Sequence, residues 1–233
     1  ARFGKKEESY VPQYLQIWKI LHGALVNEFK DLAIIKNALE NKHHNSKLGV
    51  IRMEASLFVQ WWQLFESFCL QYFHTEDQCL LGYTPFTFFA SILQGKRELV
   101  KQFLYVVDII HEFETDSDKY AIKLSTALSD LIKRFVEYLE LEYGIQISTE
   151  FHKVLDTRAL QQRVLNYFVE GPYPEESLVL LINAMRDKKE RGRWLRDNVN
   201  FKTRQEVRGW EVRVYESHTV VVQHLQATSG MQK

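Results

Sequence analysis

The chain has 233 residues, with 30 Lys and Arg balanced by 30 Asp and Glu, and 45% of its side chains are hydrophobic. Such a composition can fill a core, and it excludes a disordered tail, a collagen-like chain and a histone-like polycation. A chain of this length buries roughly 70% of its unfolded surface, so it needs no disulfide staples.

The first predicted element is a helix from about Val11 to Glu40. Tyr14, Trp18, Leu21, Leu25, Glu28, Leu32, Ile35 and Leu39 recur at alternating steps of three and four residues, one side chain per turn on one face. Glu28 is the one polar member of that stripe. Asn41 to Ser46 is expected to be the turn after it.

A second helix is predicted from about Lys47 to His74. One stripe is Leu48, Ile51, Ala55, Phe58, Trp62, Phe65, Cys69 and Tyr72; beside it run Val50, Leu57, Trp61, Leu64 and Phe68, interrupted by Glu54. Adjacent residues lie about 100° apart on a helix. Burying both Trp61 and Trp62 therefore demands neighbours on two sides and makes this helix central. Its remaining face carries Arg52, Ser56, Gln60, Gln63, Ser67, Gln71 and His74. Amides and hydroxyls at successive turns suit a covered surface where each finds a hydrogen bond. Either another helix of the chain or a docked partner could cover Gln60, Gln63 and Gln71.

Thr84-Pro85 reads as a helix start, and Phe86, Phe88, Phe89, Ile92 and Leu93 follow it. Gly95 is expected to break or bend this helix before it resumes through Leu99, Phe103, Val107 and Ile110. Ser117-Asp118 opens the next helix, with Leu124, Leu128, Leu131, Phe135 and Tyr138 inward and Gly144 as its C-terminal stop. Ser148-Thr149-Glu150 and Asp156-Thr157 read as two further starts, the second leading through Leu160, Val164, Leu165 and Phe168 to Gly171. Pro174-Glu175-Glu176 opens a helix with acids near its positive end, burying Leu178, Leu181, Ile182 and Met185.

Beyond Met185 the character changes. Residues 186–213 hold ten Lys/Arg and five Asp/Glu, a local charge of +5. The helix around Lys188, Lys189, Arg191, Arg193, Trp194 and Arg196 is the candidate surface for a nucleic acid or another partner, with Trp194 and Trp210 available to stack on bases. Asp187 and Glu190 are placed to pair with Arg191 and Arg193 along a solvated face. Trp210, Val212 and Val214 alternate with polar residues, and Val220-Val221-Val222 follows. Alternation with β-branching predicts a short hairpin turning near Glu216 to Thr219.

Candidate chemistry is sparse. No phosphate-binding loop, dinucleotide fingerprint, HExxH or GxSxG motif occurs, and no cofactor is expected. Cys69, His74 and Cys79 are ligand types for zinc without a fourth partner nearby. Glu54 and Glu66 interrupt apolar stripes, which predicts ion pairs; twelve residues, about 18 Å of helix, separate them. Asp108, His111 and Glu112 lie on neighbouring turns, but a di-iron bundle needs Glu-x-x-His on two helices with further carboxylates, and only this Asp-x-x-His occurs. His152 and Asp156 form a four-residue pair suited to a surface. Two cysteines point to a reducing compartment such as the cytoplasm. Residues 1–8 lack the apolar core of a signal peptide. The most apolar region, 50–73, carries Arg52, Glu54 and Glu66, which argues against a membrane span.

Arg213 and His218 are spaced R-x4-H. This resembles the signature of the HEPN superfamily of all-helical domains, many of them metal-independent ribonucleases. The resemblance covers these two positions and an apolar helix from Met53 to Phe68, and Val214 stands where the family usually has a polar residue. It implies an RNA-cleaving site at Arg213 and His218.

The expected architecture is therefore a mostly α-helical bundle of seven or eight helices with a C-terminal β-hairpin or extended arm. Residues 1–185 form the bundle, and residues 186–233 a basic element docked on it. The expected function is a non-enzymatic interaction module that binds a protein partner, a second copy of itself or a nucleic acid. An endoribonuclease using Arg213 and His218, and a carrier with an aromatic cavity for an apolar small molecule, are the alternatives.

Overall fold

The computed structural model describes residues 15–45, 52–79, 90–146, 157–169, 173–185 and 187–228. Among them are helices α1 (Leu15–Asn45), α2 (Arg52–Cys79), α3 (Ala90–Thr115), α4 (Ser117–Gln146), α5 (Thr157–Val169), α6 (Pro174–Asn183), α7 (Lys188–Asn198), α8 (Phe201–Val214) and α9 (Val220–Thr228). A single π-helical turn, Tyr215–Thr219, joins α8 to α9 in one continuous rod. The multi-helix bundle expected from the periodicity is present. Among the described residues no helix is long and apolar enough to cross a membrane.

The stripes of α1 and α2 become the core. Trp18, Leu21, Leu25, Leu32, Ile35 and Leu39 are buried, and so is Glu28. Trp61 and Trp62 are 0% and 2% exposed, so α2 is indeed central. It contacts α1, α3, α5 and the π turn. One continuous apolar cluster runs from Ile17 of α1 to Leu225 of α9. Helix α6 buries Ser177 through Ile182 without a break, so it is wrapped on all sides; its contacts are α1, α5 and α8.

Several local expectations change. Helix α1 continues to Asn45, through the residues assigned to a turn, with Lys42, His43 and His44 at its negative end. Gly95 lies inside an unbroken α3. A Cβ there would meet Leu141 Cδ1 at 2.9 Å, so this glycine sits where side chains of α4 press close on α3. Asp116, the single residue between those helices, caps α4 by accepting from Lys119 N at 3.2 Å. Gly144 does not stop α4, which runs on to Gln146. Pro174 occupies the first turn of α6 with Glu175 and Glu176. The readings at Tyr14, Leu48 to Ile51, Thr84-Pro85, Phe86 to Phe89, Ser148 to Asp156 and Gly171-Pro172 lie outside the described residues.

The β-hairpin is not formed; no strand occurs among the described residues. Trp210 through Val222 is helical. Val207, Val214, His218, Val221, Val222 and Leu225 are buried at helical spacing. That periodic burial, against α6 for α8 and against α1 and α2 for the π turn and α9, outweighs the few tenths of a kcal/mol by which each valine disfavours a helix. The segment Glu216-Ser217-His218-Thr219 also lacks the Gly or Asn that a tight hairpin turn requires.

Candidate functional site

Polar side chains gather in two kinds of place: buried ion pairs within the bundle, and the charged hairpin of α7 and α8 on its outside.

The largest buried cluster draws on four helices. Glu142 of α4 accepts hydrogen bonds from Trp18 Nε1 of α1 (2.8 Å) and from the Tyr72 hydroxyl of α2 (2.8 Å). His22 Nε2 lies 2.9 Å from the same carboxylate. Burial pushes the Glu142 carboxyl up, but the His22 imidazole and the hydrogen bonds from His22, Trp18 and Tyr72 outweigh it and hold the group below its ordinary value. Next to it, Glu76 of α2 accepts from the Tyr138 hydroxyl. Lys96 of α3 lies 3.1 Å from Glu76, and donates to Phe73 O at 2.7 Å and Asp77 Oδ1 at 2.6 Å. Burial, then the charge of Glu142, push Glu76 up to about 7. Glu76 and Glu142 are each 1% exposed. The donors and acceptors of this cluster are turned on one another, an arrangement that joins α1, α2, α3 and α4.

A second buried pair joins α1 to the π turn. His218 Nε2 is 2.6 Å from Glu28 Oε2, and its ring stacks on Trp61. Asp31, one turn from Glu28 on α1, is pushed up to about 6 by burial and then by the Glu28 charge. A third pair joins Lys42 to buried Glu54, and Glu66 accepts from Trp62 Nε1 at 2.9 Å. The ion pair expected of these two carboxylates is present at Glu54, whereas Glu66 is held by a hydrogen bond from a neutral indole instead.

The other candidates disperse. Cys69 and Cys79 are buried free thiols, and His74 is exposed with its ring edge against Tyr167. Burial pushes both thiols up, away from the thiolate that binds metal. Asp108 and His111 are exposed, and Glu112 is paired with Lys123 at 2.6 Å. Among the described residues no group of three or more His, Cys, Asp or Glu could hold a metal ion. Arg213 and His218 face apart. Arg213 is exposed and pairs with Glu175 of α6, whereas His218 points into the core. The amide stripe of α2 divides. Gln71 is buried and donates to Tyr167 O of α5; Gln60 and Gln63 are exposed. Gln60 borders a depression with Glu175, Glu176, Trp210, Arg213 and Glu216.

The charged hairpin is the remaining site. Asp187 caps α7, accepting from Lys189 N at 2.8 Å. It does not pair with Arg191, which reaches across to Glu211 of α8. Trp194 is 8% exposed, so its indole is committed to the interior and unavailable for stacking. Trp210 is partly buried against the same core. Lys188, Lys189, Arg193 and Arg196 are exposed. Lys189, Arg193 and Arg196 line one shallow depression with Gly192, at whose backbone an added Cβ would touch nothing within 4 Å. None of the three has a carboxylate within ion-pair distance among the described residues. The aromatic ring exposed here is one that hydrophobic periodicity does not single out. Phe201 opens α8 and is 66% exposed, with the Arg204 guanidinium 5.8 Å from its ring centre. Its position immediately after the Asn200 cap was the available signal.

Compared with protein-family models, curated proteins and solved structures, the chain matches none, so its functional reading rests on its own residues.

Proposed function

We propose that this chain is a helical interaction module that holds a polyanionic partner on the outer face of α7. The observation that carries the reading is the shared depression of Lys189, Arg193 and Arg196. Positions 189, 193 and 196 are spaced by four and three residues, so the cations project from one face over about 10 Å of helix. Arg191 is spent on Glu211, which sorts the run into one cation that holds the hairpin together and four exposed ones, three of which line the depression. Unpaired guanidinium and ammonium groups at this spacing form a local positive field, which attracts anions although the whole chain is neutral. The buried Glu, His, Lys and Tyr groups are engaged with one another across helices, which suits a rigid scaffold for that surface.

The test uses heparin as a generic polyanion. Replacing Lys189, Arg193 and Arg196 together by Gln lowers the salt concentration needed for elution from immobilised heparin. Elution of the triple variant at the same salt as the native chain would exclude α7 as the binding face.

A further inference from the structure

We infer that the polyanion is a single-stranded nucleic acid, with one base stacked on Phe201 while the phosphates lie along Lys189, Arg193 and Arg196. This rests on the polyanion reading of α7 and adds a chemical class to it.

The inference starts from the fate of the aromatic residues. Of the two tryptophans in the charged hairpin, Trp194 is buried and Trp210 is partly buried against the core. Tyr215 is open at the far end of α8; the most exposed ring here is Phe201, at the corner where α7 hands over to α8. A large apolar ring in that place contributes nothing to the core. A lone exposed phenylalanine is ordinary on a protein surface; one that follows a row of unpaired cations in the chain adds a second kind of contact to theirs. Arg204, one turn further on, lies over the ring at 5.8 Å from its centre, so one face already carries a cation and the opposite face is the one offered to a base.

Reach is adequate. Four residues lie between Arg196 and Phe201, five Cα steps that span at most about 18 Å. One strand can therefore touch both. The pairing of an open π-face with a row of cations is what a single strand uses: bases stack on aromatic rings while a positive track follows the backbone. A duplex keeps its bases stacked on each other and gives Phe201 nothing to hold. An acidic polypeptide would match the cations and leave the ring unused.

The experiment is fluorescence anisotropy with the full chain and three probes: a mixed-sequence 12-nucleotide RNA, the duplex of that RNA, and an oligoglutamate of matched charge. The single strand is expected to bind tightest. Phe201→Leu keeps apolar bulk but has no π-face, and should weaken single-strand binding about fivefold or more while leaving duplex binding unchanged; Phe201→Tyr should retain it. The Lys189, Arg193 and Arg196 triple variant should lower affinity for every probe. It should also flatten the single-strand salt slope by about 2, at roughly 0.7 for each phosphate no longer neutralised. Equal affinity for duplex or oligoglutamate, or a neutral Phe201→Leu, overturns the single-strand assignment; the heparin result decides separately whether α7 holds a polyanion at all.

Discussion

The imidazole of His218 lies flat on the indole of Trp61, ring centroids 5.0 Å apart and planes inclined by 13°. Glu28 meets the same imidazole at 2.6 Å. The π turn makes this possible. Val220 N donates to Tyr215 O, five residues back, and the widened turn sets His218 against α1 and α2 before α9 continues. Arg213, at the start of the same R-x4-H spacing, points outward to Glu175. The two residues therefore differ in what they do for the fold. His218→Ala leaves Glu28 buried without its partner and should cost about 3 kcal/mol. Arg213→Ala should change stability by less than about 0.5 kcal/mol, as exposed pairs do. Urea denaturation of both variants checks this. Similar losses for the two would contradict the placement of His218 in the core.

Glu76 gives the bundle a pH dependence of definite sign. Its folded value, about 7, lies above its ordinary 4.5. Between those values the folded chain keeps a proton that the unfolded chain has released. The stabilisation is complete below pH 4.5 and is lost as pH rises through about 7. Glu142 is shifted down and has the opposite sign, its contribution present above 4.5 and lost on acidification. Glu76→Gln cannot ionise and should gain on the native protein as pH rises from about 4.5 to about 8. Urea titrations at pH values of about 4.5, 6 and 8 measure the difference; Asp31, raised to about 6, is common to both proteins and cancels. A difference independent of pH would show that Glu76 ionises normally.

Lys96 is 7% exposed and holds Glu76, Asp77 and the Phe73 carbonyl at once. Lys96→Met leaves a buried carboxyl without its cation and should cost about 3–5 kcal/mol. Adding Glu76→Gln to that variant removes the stranded charge, and the double variant should be more stable than Lys96→Met alone at a pH of about 8. Thermal denaturation of the three proteins tests this. Additive losses in the double variant would mean that the two side chains are not coupled.

The rods were legible because apolar spacing is a one-dimensional signal. The stripe on α1 is buried as read from Trp18 to Leu39. The paired tryptophans of α2 announced a central helix. The C-terminal rod was misread because valine at every second position satisfies a strand locally, while the burial that decides the matter comes from α1, α2 and α6, far away in sequence. The same distance hid the site chemistry. Glu28 stood out as the lone acid in an apolar stripe, whereas His218 was read as half of the R-x4-H spacing and as part of a hairpin turn. Nothing in the sequence joined them, since 190 residues separate the pair. Basic charge on α7 was visible, but its division into Arg191, paired, and Lys189, Arg193 and Arg196, open, depends on Glu211 arriving from α8.

Gly95, Gly192 and Gly209 lie inside helices and differ in what an added methyl would meet, which makes them a graded test of the packing. At Gly209 of α8 a Cβ finds nothing within 4 Å. Gly209→Ala therefore removes unfolded-chain freedom without a clash and should stabilise by about 0.8–1 kcal/mol. Gly192 of α7 has the same open surroundings, and Gly192→Ala should gain a similar amount. At Gly95 the new Cβ would stand 2.9 Å from Leu141 Cδ1, the tip of a side chain that is 40% exposed. Leu141 must rotate to admit it, so Gly95→Ala should gain less than the other two. Thermal denaturation orders the three variants. A larger gain at Gly95 than at Gly209 would mean that α3 and α4 do not approach as closely there as the structure has them.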